Sequence, residues 1–417
     1  MRFLHAADLH LDSPLKGLDR YDGAPVERLR TATRHAFENL VDYALAERVD
    51  FILLAGDTYD RDWQDFHTGL FFRAQMVRLD RAGIPVFMVQ GNHDAQGVIS
   101  RQLTLPDNVT VFSSHTPQTH RLESLRVAIH GRSFPNREVS EDWVPSYPEP
   151  LADYFNIGLL HTSLSGRPGH DPYAPTDLET LKAKGYDYWA LGHVHRRERV
   201  CQAPWIVYPG NLQGRHANET GEKGCERVWV EGGQISAEFM ALDVVRWHHL
   251  SLDLHGVADL AALRTQVLHA LKPRLQQGLD RLHALRITLT GISPLYVLEA
   301  QQPGTLEHNL RAALQELELG EVWLEQVKLA LSAPQDRAQL AEGEDAIGEL
   351  VRLVDTLCAN PEQARALVHS ELKDLSWPEE LLDSDAIPKL HCADTVRALL
   401  LDAEATVIAR LSQAPRE

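Results

Sequence analysis

Residues 85–94 read Pro85-Val86-Phe87-Met88-Val89-Gln90-Gly91-Asn92-His93-Asp94. Pro85 to Val89 is a short apolar run with the length and residue types of a buried strand. It stops at Gly91, and an amide, an imidazole and a carboxylate follow at once. In open α/β sheets, ligands bind beyond the carboxyl ends of the strands. A buried strand that ends this way presents a site.

Other apolar runs end in the same manner. Phe3-Leu4-His5-Ala6-Ala7 leads into Asp8-Leu9-His10, and strand alternation puts Asp8 and His10 on one side. Asp50 to Ala55 ends at Gly56-Asp57-Thr58-Tyr59-Asp60. Phe155 to Leu160 delivers His161, and Tyr186 to Leu191 delivers Gly192-His193-Val194-His195. Helical periodicity fills 25–48 and 67–82, with Gly83 as a stop, and a short helix is expected over 176–184. Further strands are expected at 109–112, 125–130, 205–208, 226–231 and 234–242, with loops over 11–24 and 135–150.

From residue 243 the character changes. A β-α-β-α-β run (strands 244–254, 283–290 and 321–330, helices 258–277 and 305–318) carries no ligand-type residues at its strand exits. Beyond it the chain is rich in Leu and Ala with helical periodicity. The expected organisation is a domain over 1–242, a smaller one over 243–330 and a helical region over 331–417.

The chain has 417 residues, 44% hydrophobic and 24% charged, which is ordinary for a soluble protein of several domains. It lacks an apolar run of the roughly eighteen residues that a membrane helix needs. An acid at position 8 comes too early for a signal-peptide core. Cys201, Cys225, Cys358 and Cys392 have no paired spacing, which excludes a disulfide framework or a Cys-based zinc site and suggests a reducing compartment, by default the cytoplasm. The net charge of −18 argues against a free-standing, high-affinity nucleic-acid binder. It leaves room for a local basic rim, or for a DNA site completed by a partner. Residues 331–417 carry 17 acidic and 8 basic side chains, a net of −9, half of the total.

Counted as metal ligands, the strand exits offer Asp8, His10, Asp57, Asn92, His161, His193 and His195. This mixed nitrogen and oxygen set suits Mn, Fe or Zn better than Ca or Mg. Seven ligands exceed what one ion with an open position takes. With one carboxylate bridging they fit two ions, the arrangement used for phosphoryl displacement. A single buried histidine is more often a satisfied core residue, and Gly-Asp or Gly-Asn-His alone is ordinary turn chemistry. That bland reading is kept for His67, His115, His120, His130, His248, His249 and His283. It does not account for five strands that all end in ligand types, with glycine where the backbone must turn.

The ordered set Asp-x-His, Gly-Asp-x-x-Asp, Gly-Asn-His-Asp, His and Gly-His-x-His resembles the calcineurin-like metallophosphoesterases over about residues 1–240. The start, Phe3 to Asp12, and the appended β-α-β run resemble the SbcD-like branch of DNA-repair nucleases. Tyr208-Pro209-Gly210-Asn211-Leu212-Gln213-Gly214-Arg215-His216, continuing through Asn218 to Gly224, resembles the bacterial YhaO-like members. The resemblance implies an α/β fold with two facing β-sheets flanked by helices, a smaller capping domain and a helical C-terminal segment.

It further implies that Asp8, His10 and His195 hold a first divalent ion, that Asn92, His161 and His193 hold a second, and that Asp57 bridges them. Mn is the expected metal, with Fe or Zn as alternatives. The implied activity is that of a DNA exo/endonuclease subunit, working as a homodimer with an SMC-like ATPase. No Gly-x-x-x-x-Gly-Lys-Ser/Thr loop is present, so that ATPase must come in trans.

The expected chemistry is in-line attack by a hydroxide held between two ions, with His93 as general acid. Asp60 is expected to hold His93 by a hydrogen bond, and Asp94 to serve as a turn or cap residue. Arg61, Arg132, Arg167, Arg196, Arg197 and Arg215 lie on or beside these loops as candidates for a phosphate rim, Arg215 foremost. Two other readings compete. One is a small-molecule phosphodiesterase or phosphatase on the same site. The other is a non-catalytic scaffold, against which the intact ligand set argues.

Overall fold

The computed structural model describes residues 1–13, 23–60, 66–95, 103–164, 173–317, 320–372, 390 and 392–411. Parts of the expected loop over 11–24 and of the helical region, together with Arg61 and Arg167, lie outside them. The chain divides into two compact units. The first comprises Met1–His249, Gly278–Arg286 and Gly320–Glu325; the second comprises Leu250–Gln277, Ile287–Leu319 and Gln326–Glu417.

The first unit is built on two six-stranded mixed sheets. One sheet contains β1 (Arg2–Ala6), β2 (Phe51–Ala55), β3 (Val86–Val89) and β4 (Val109–Val111), with β11 (Gly224–Glu231) and β12 (Gln234–Ala241), in the order β12-β11-β1-β2-β3-β4. The other contains β5 (Gln118–Leu122), β6 (Val127–Gly131), β7 (Phe155–His161), β8 (Tyr188–Gly192), β9 (Glu198–Gln202) and β10 (Trp205–Tyr208), in the order β5-β6-β7-β8-β10-β9. β1 to β4 run parallel, as do β6, β7, β8 and β10. The exits of β1, β2 and β3 therefore share one edge of their sheet, and those of β7 and β8 share one edge of the other.

Strand alternation explains why the sheets face each other. Phe3, Phe51, Leu53, Phe87 and Val89 pack with Val127, Ile129, Ile157, Leu159, Tyr188 and Val207 in one buried layer. Complete burial of such a side chain is worth about 1.5–3 kcal/mol. The intervening residues Leu4, Ile52, Leu54, Val86 and Met88 pack outward against α1 (Val26–Glu47) and α2 (Phe66–Arg81) through Phe37, Leu40, Val41, Phe72 and Met76. On the second sheet, Leu160, Trp189, Leu191 and Ile206 pack outward with Trp143, Val144, Tyr147 and Leu181. The parallel strands of this centre are largely apolar on both faces, as expected of buried parallel strands, with His5, His130 and Asn156 as buried polar exceptions.

β5 and β9 are strands that the hydrophobic pattern does not signal. Both are edges of the second sheet, and Gln118-Thr119-His120-Arg121-Leu122 and Glu198-Arg199-Val200-Cys201-Gln202 carry the polar residues that edges tolerate. A third sheet joins β13 (Val245–Asp253), β14 (Leu282–Ile292) and β15 (Glu321–Ser332) in that order. In the second unit, helices cover Leu260–Leu275, Leu295–Gln301, Thr305–Gln315, Arg337–Ala341, Ala346–Ala359, Pro361–Leu372 and Ala393–Leu411. The described residues include no helix long and apolar enough to cross a membrane.

Candidate metal centre

The loops after β1 and β2 are laced together by their backbones. The N–H groups of Asp8, His10 and Leu11 donate to the carbonyls of Gly56, Asp57 and Thr58, each at 3.0 Å. To turn there, the chain adopts left-handed backbone at Asp8 (φ 52°), His10 (φ 43°) and Asp57 (φ 51°), and His193 has φ 100°. Such conformations are unfavourable for side chains other than glycine and persist only where the surroundings enforce them. Gly91 and Gly192 are needed for a different reason. A Cβ at Gly91 would collide with the Asp57 carboxylate, and one at Gly192 with the Ala55 carbonyl.

Asp94 is the brace of this region. Its carboxylate is buried and accepts from the N–H groups of Thr58 (3.1 Å), Tyr59 (2.9 Å) and Gly91 (3.1 Å). It thus ties the exit of β2 to the exit of β3.

All seven residues read as ligands come together at these exits. Asp8, His10 and His195 bring ligand atoms within 4.8 Å of one another, and so do Asp57, His161 and His193. His10 Nε2 faces His195 Nε2 at 3.1 Å and lies 3.9 Å from Asp57 Oδ2. His161 Nδ1 donates to the Ala55 carbonyl at 2.9 Å, which leaves Nε2 turned to Asn92 Oδ1 (2.9 Å) and Asp57 Oδ2 (3.4 Å). The backbone N–H of His193 donates to both oxygens of Asp8 at 3.0 Å, and that of His93 to Asp57 Oδ1 at 2.9 Å.

These residues fit divalent cations. Lone-pair atoms crowd one another: ring nitrogen faces ring nitrogen, and carboxylate and amide oxygens face a ring nitrogen. Only hydrogen or a cation relieves such contacts. Without a cation the charges conflict. Burial pushes the Asp8 carboxyl up to about 6 against the pull of His195 and His161. Burial would also push Asp57 up, but His161 and His10 hold it well below the usual carboxylate range. Burial and the Arg215 guanidinium keep His10 well below the ordinary histidine value. Burial would lower His161 too, yet Asp57 and Asp8 raise it to about 9. A proton on His161 thus stands in for the positive charge, and metal binding would release it.

His93 donates through Nδ1 to Asp60 at 2.8 Å. A third group, His10, Asp60 and His93, also brings ligand atoms within 4.8 Å, so the geometry allows His93 a ligand role as well as an acid role. With Nδ1 committed to Asp60, Nε2 is the ring atom left for either role.

The arginines divide. Arg196 and Arg215 line the cleft of about 970 Å³ over the site. Arg132 instead lies over the Trp143 ring at 4.1 Å, and Arg197 over Phe239 at 4.3 Å. These two guanidinium groups stack on aromatic faces. Arg215 is itself flanked by acids, Asp60 at 3.7 Å and Glu219 at 3.3 Å.

Sequence reading assigned no role to Glu219 or Lys223. Glu219 Oε1 accepts from His195 Nδ1 at 2.7 Å, and Lys223 Nζ donates to the His195 carbonyl at 2.8 Å. Of the histidines read as core residues, His130, His248 and His283 are buried and hydrogen-bonded, whereas His67, His115 and His249 are exposed. His130 bonds to Thr119 (2.8 Å) and Asn156 (3.1 Å), and His248 to His283 (2.9 Å).

A sandwich of two mixed sheets with clustered histidines and carboxylates at the strand exits defines a class, and the comparisons agree with it. Residues 1–197 match the calcineurin-like phosphoesterase family, and residues 247–332 match the middle domain of metallophosphoesterase YhaO. The chain is 38% identical over 330 residues to the uncharacterized metallophosphoesterase YhaO of Bacillus subtilis (strain 168), covering 78% of this chain and 80% of the relative. The chain belongs to the calcineurin-like metallophosphoesterase family. It is 27% identical over 274 residues to the DNA double-strand break repair protein Mre11 of Methanopyrus kandleri, covering 58% of this chain and 57% of that protein. A solved dimetal phosphatase from Danio rerio aligns at 13% identity over 58% of this chain and 96% of that chain, with a TM-score of 0.39.

Proposed function

We propose that the chain is a metal-dependent phosphodiesterase that acts on DNA. The observation that carries this reading is the His93–Asp60 pair, 2.8 Å apart, set beside two groups of metal-ligand side chains. Asp8, His10 and His195 would hold one divalent cation and Asn92, His161 and His193 the other, with Asp57 between them. Bound there, Mn, or alternatively Fe or Zn, would neutralise phosphate charge and make a water acidic enough to attack at neutral pH.

The chain's own residues supply the rest. Asp60 accepts from His93 Nδ1, fixes the ring and favours its doubly protonated form, whose Nε2–H would give the proton to the departing alkoxide. Such a general acid contributes about 10²–10⁴-fold. Arg196 and Arg215 on the cleft wall would draw a phosphodiester in despite the net charge of −18. Likeness to the Mre11 repair proteins supports DNA as the substrate. A homodimer, an SMC-like ATPase in trans and a cytoplasmic location belong to the same proposal.

The test is cleavage of blunt linear duplex and single-stranded circles with Mn, with wild type and His93→Ala side by side. Wild-type cutting that falls 10²–10⁴-fold in a variant that still binds its metal supports the reading. Hydrolysis of bis-p-nitrophenyl phosphate without DNA cutting would move the small-molecule phosphodiesterase to first place. Loss of metal from His93→Ala would make His93 a ligand and overturn its acid role.

A further inference from the structure

Glu219 lies in the loop after the last ligand, buried, with both oxygens engaged. Oε1 takes the hydrogen bond from His195 Nδ1 at 2.7 Å. Oε2 accepts from the Arg215 backbone N–H at 2.7 Å and from the Asn211 amide at 2.9 Å. A carboxylate has no hydrogen to give, and at 2.7 Å it is nearer to Nδ1 than the Arg215 Nη2 donor at 3.3 Å, so the hydrogen of the His195 ring sits on Nδ1. The Nε2 lone pair is then bare, and Nε2 is the atom that faces His10 at 3.1 Å. With the hydrogen on Nε2 instead, His195 would point a donor into the group it forms with Asp8 and His10.

We infer that Glu219 is a positioning residue that fixes the His195 tautomer and so makes the Asp8–His10–His195 group able to take a cation. This rests on the two-cation reading proposed above. The same carboxylate continues the chain of charges to the acid. Glu219 meets Arg215 at 3.3 Å, Arg215 meets Asp60 at 3.7 Å, and Asp60 meets His93 at 2.8 Å. The group that holds one cation and the group that protonates the leaving oxygen are thus oriented by one connected set of side chains. Lys223 grips the His195 carbonyl from the backbone side at 2.8 Å, so the ring and the main chain of this ligand are both restrained.

The competing account is that Glu219 only neutralises Arg215. Glu219→Gln keeps the shape and removes the charge, and the His195 tautomer separates the two: lost neutralisation of Arg215 alone leaves the ring hydrogen on Nδ1. Two donors, the Arg215 backbone N–H and the Asn211 amide, face the Oε2 position at 2.7 and 2.9 Å, whereas the Arg215 guanidinium beside His195 Nδ1 stands off Oε1 at 3.3 Å. The glutamine oxygen should settle at Oε2 and turn its NH₂ toward His195 Nδ1. Nδ1 must then accept, and the ring hydrogen moves to Nε2.

Wild type and Glu219→Gln, both freed of metal, are titrated with Mn(II) by calorimetry and equilibrium dialysis. The His195 tautomer is read by ¹⁵N NMR, and the fold by thermal unfolding of the metal-free proteins. We expect two ions in wild type. In Glu219→Gln we expect one ion at wild-type affinity, the other weakened by about 10–100-fold, and hydrogen on Nε2. Two ions at wild-type affinity in Glu219→Gln overturn the inference and leave the metal centre standing. Wild type that binds no Mn(II) overturns the metal-centre reading itself. If the metal-free Gln variant is unfolded, Glu219→Ala takes its place in the same titration, and two ions at wild-type affinity there again overturn the inference.

Discussion

His5 lies on β1, three residues before the first ligand, and is fully buried. Its Nε2 donates to the Leu191 carbonyl at 3.1 Å, and the Tyr188 hydroxyl donates to Nδ1 at 3.0 Å, so the neutral ring is satisfied. Burial lowers its pKa to about 3 from the ordinary 6.5, against a small opposing pull from the Leu191 carbonyl. The unfolded chain then binds a proton that the folded chain refuses. This stability is present above pH 6.5 and is lost as pH falls toward 3. Between pH 7 and 5 the loss amounts to about 2 kcal/mol. Urea unfolding at the two pH values should show His5→Gln losing less than wild type by about that amount. Equal losses in the two proteins would mean that other groups carry the acid sensitivity. His93 meets Asp60 through Nδ1, Asp57 through its backbone N–H and the His10 ring edge-on at 4.8 Å; if it acts as the acid and not as a ligand, its removal should cost turnover and spare metal.

At the scale of elements, the loops after β2 and β3 depend on one carboxylate. Asp94→Ala would leave the N–H groups of Thr58, Tyr59 and Gly91 without their acceptor. A buried orphan of this kind costs about 1–3 kcal/mol. The variant should therefore unfold at least about 3 kcal/mol more readily than wild type in denaturant titration, and bind Mn(II) more weakly. A stable, fully loaded Asp94→Ala would remove Asp94 from its role as brace.

The ligand blocks were legible in the sequence because each is a contiguous stretch at the end of an apolar strand, where strand geometry fixes what the residues face. Glu219 was not legible. It lies 24 residues beyond His195, in a loop without periodicity, and only the fold brings the two together. β5 and β9 escaped for a related reason, since a polar edge strand lacks the apolar run that marks its neighbours.

Over the whole molecule, every ligand candidate falls within Met1–His249 of the first unit. The acidic C-terminal region has internal ties of its own in the second unit. The helix Ala393–Leu411 accepts from Gln301 through the Ala409 carbonyl (3.0 Å), meets Tyr296 through Thr406 (3.3 Å) and accepts from Arg337 through Glu404 (2.7 Å). A chain ended after Ser332 should therefore keep the Mn(II) stoichiometry of the full chain, measured by dialysis. A truncated chain that binds no metal would show that residues 333–417 support the site. The left-handed turns at Asp8, His10, Asp57 and His193 bear on how such a site decays over evolutionary time. The main chain demands its conformation at these positions whether or not a cation is present. A descendant freed from selection for turnover would still be confined there to the few residues that tolerate that geometry, glycine and asparagine above all. Inactive copies of this fold should accordingly be recognised by Gly or Asn at the former ligand positions, with β-branched residues the last to appear.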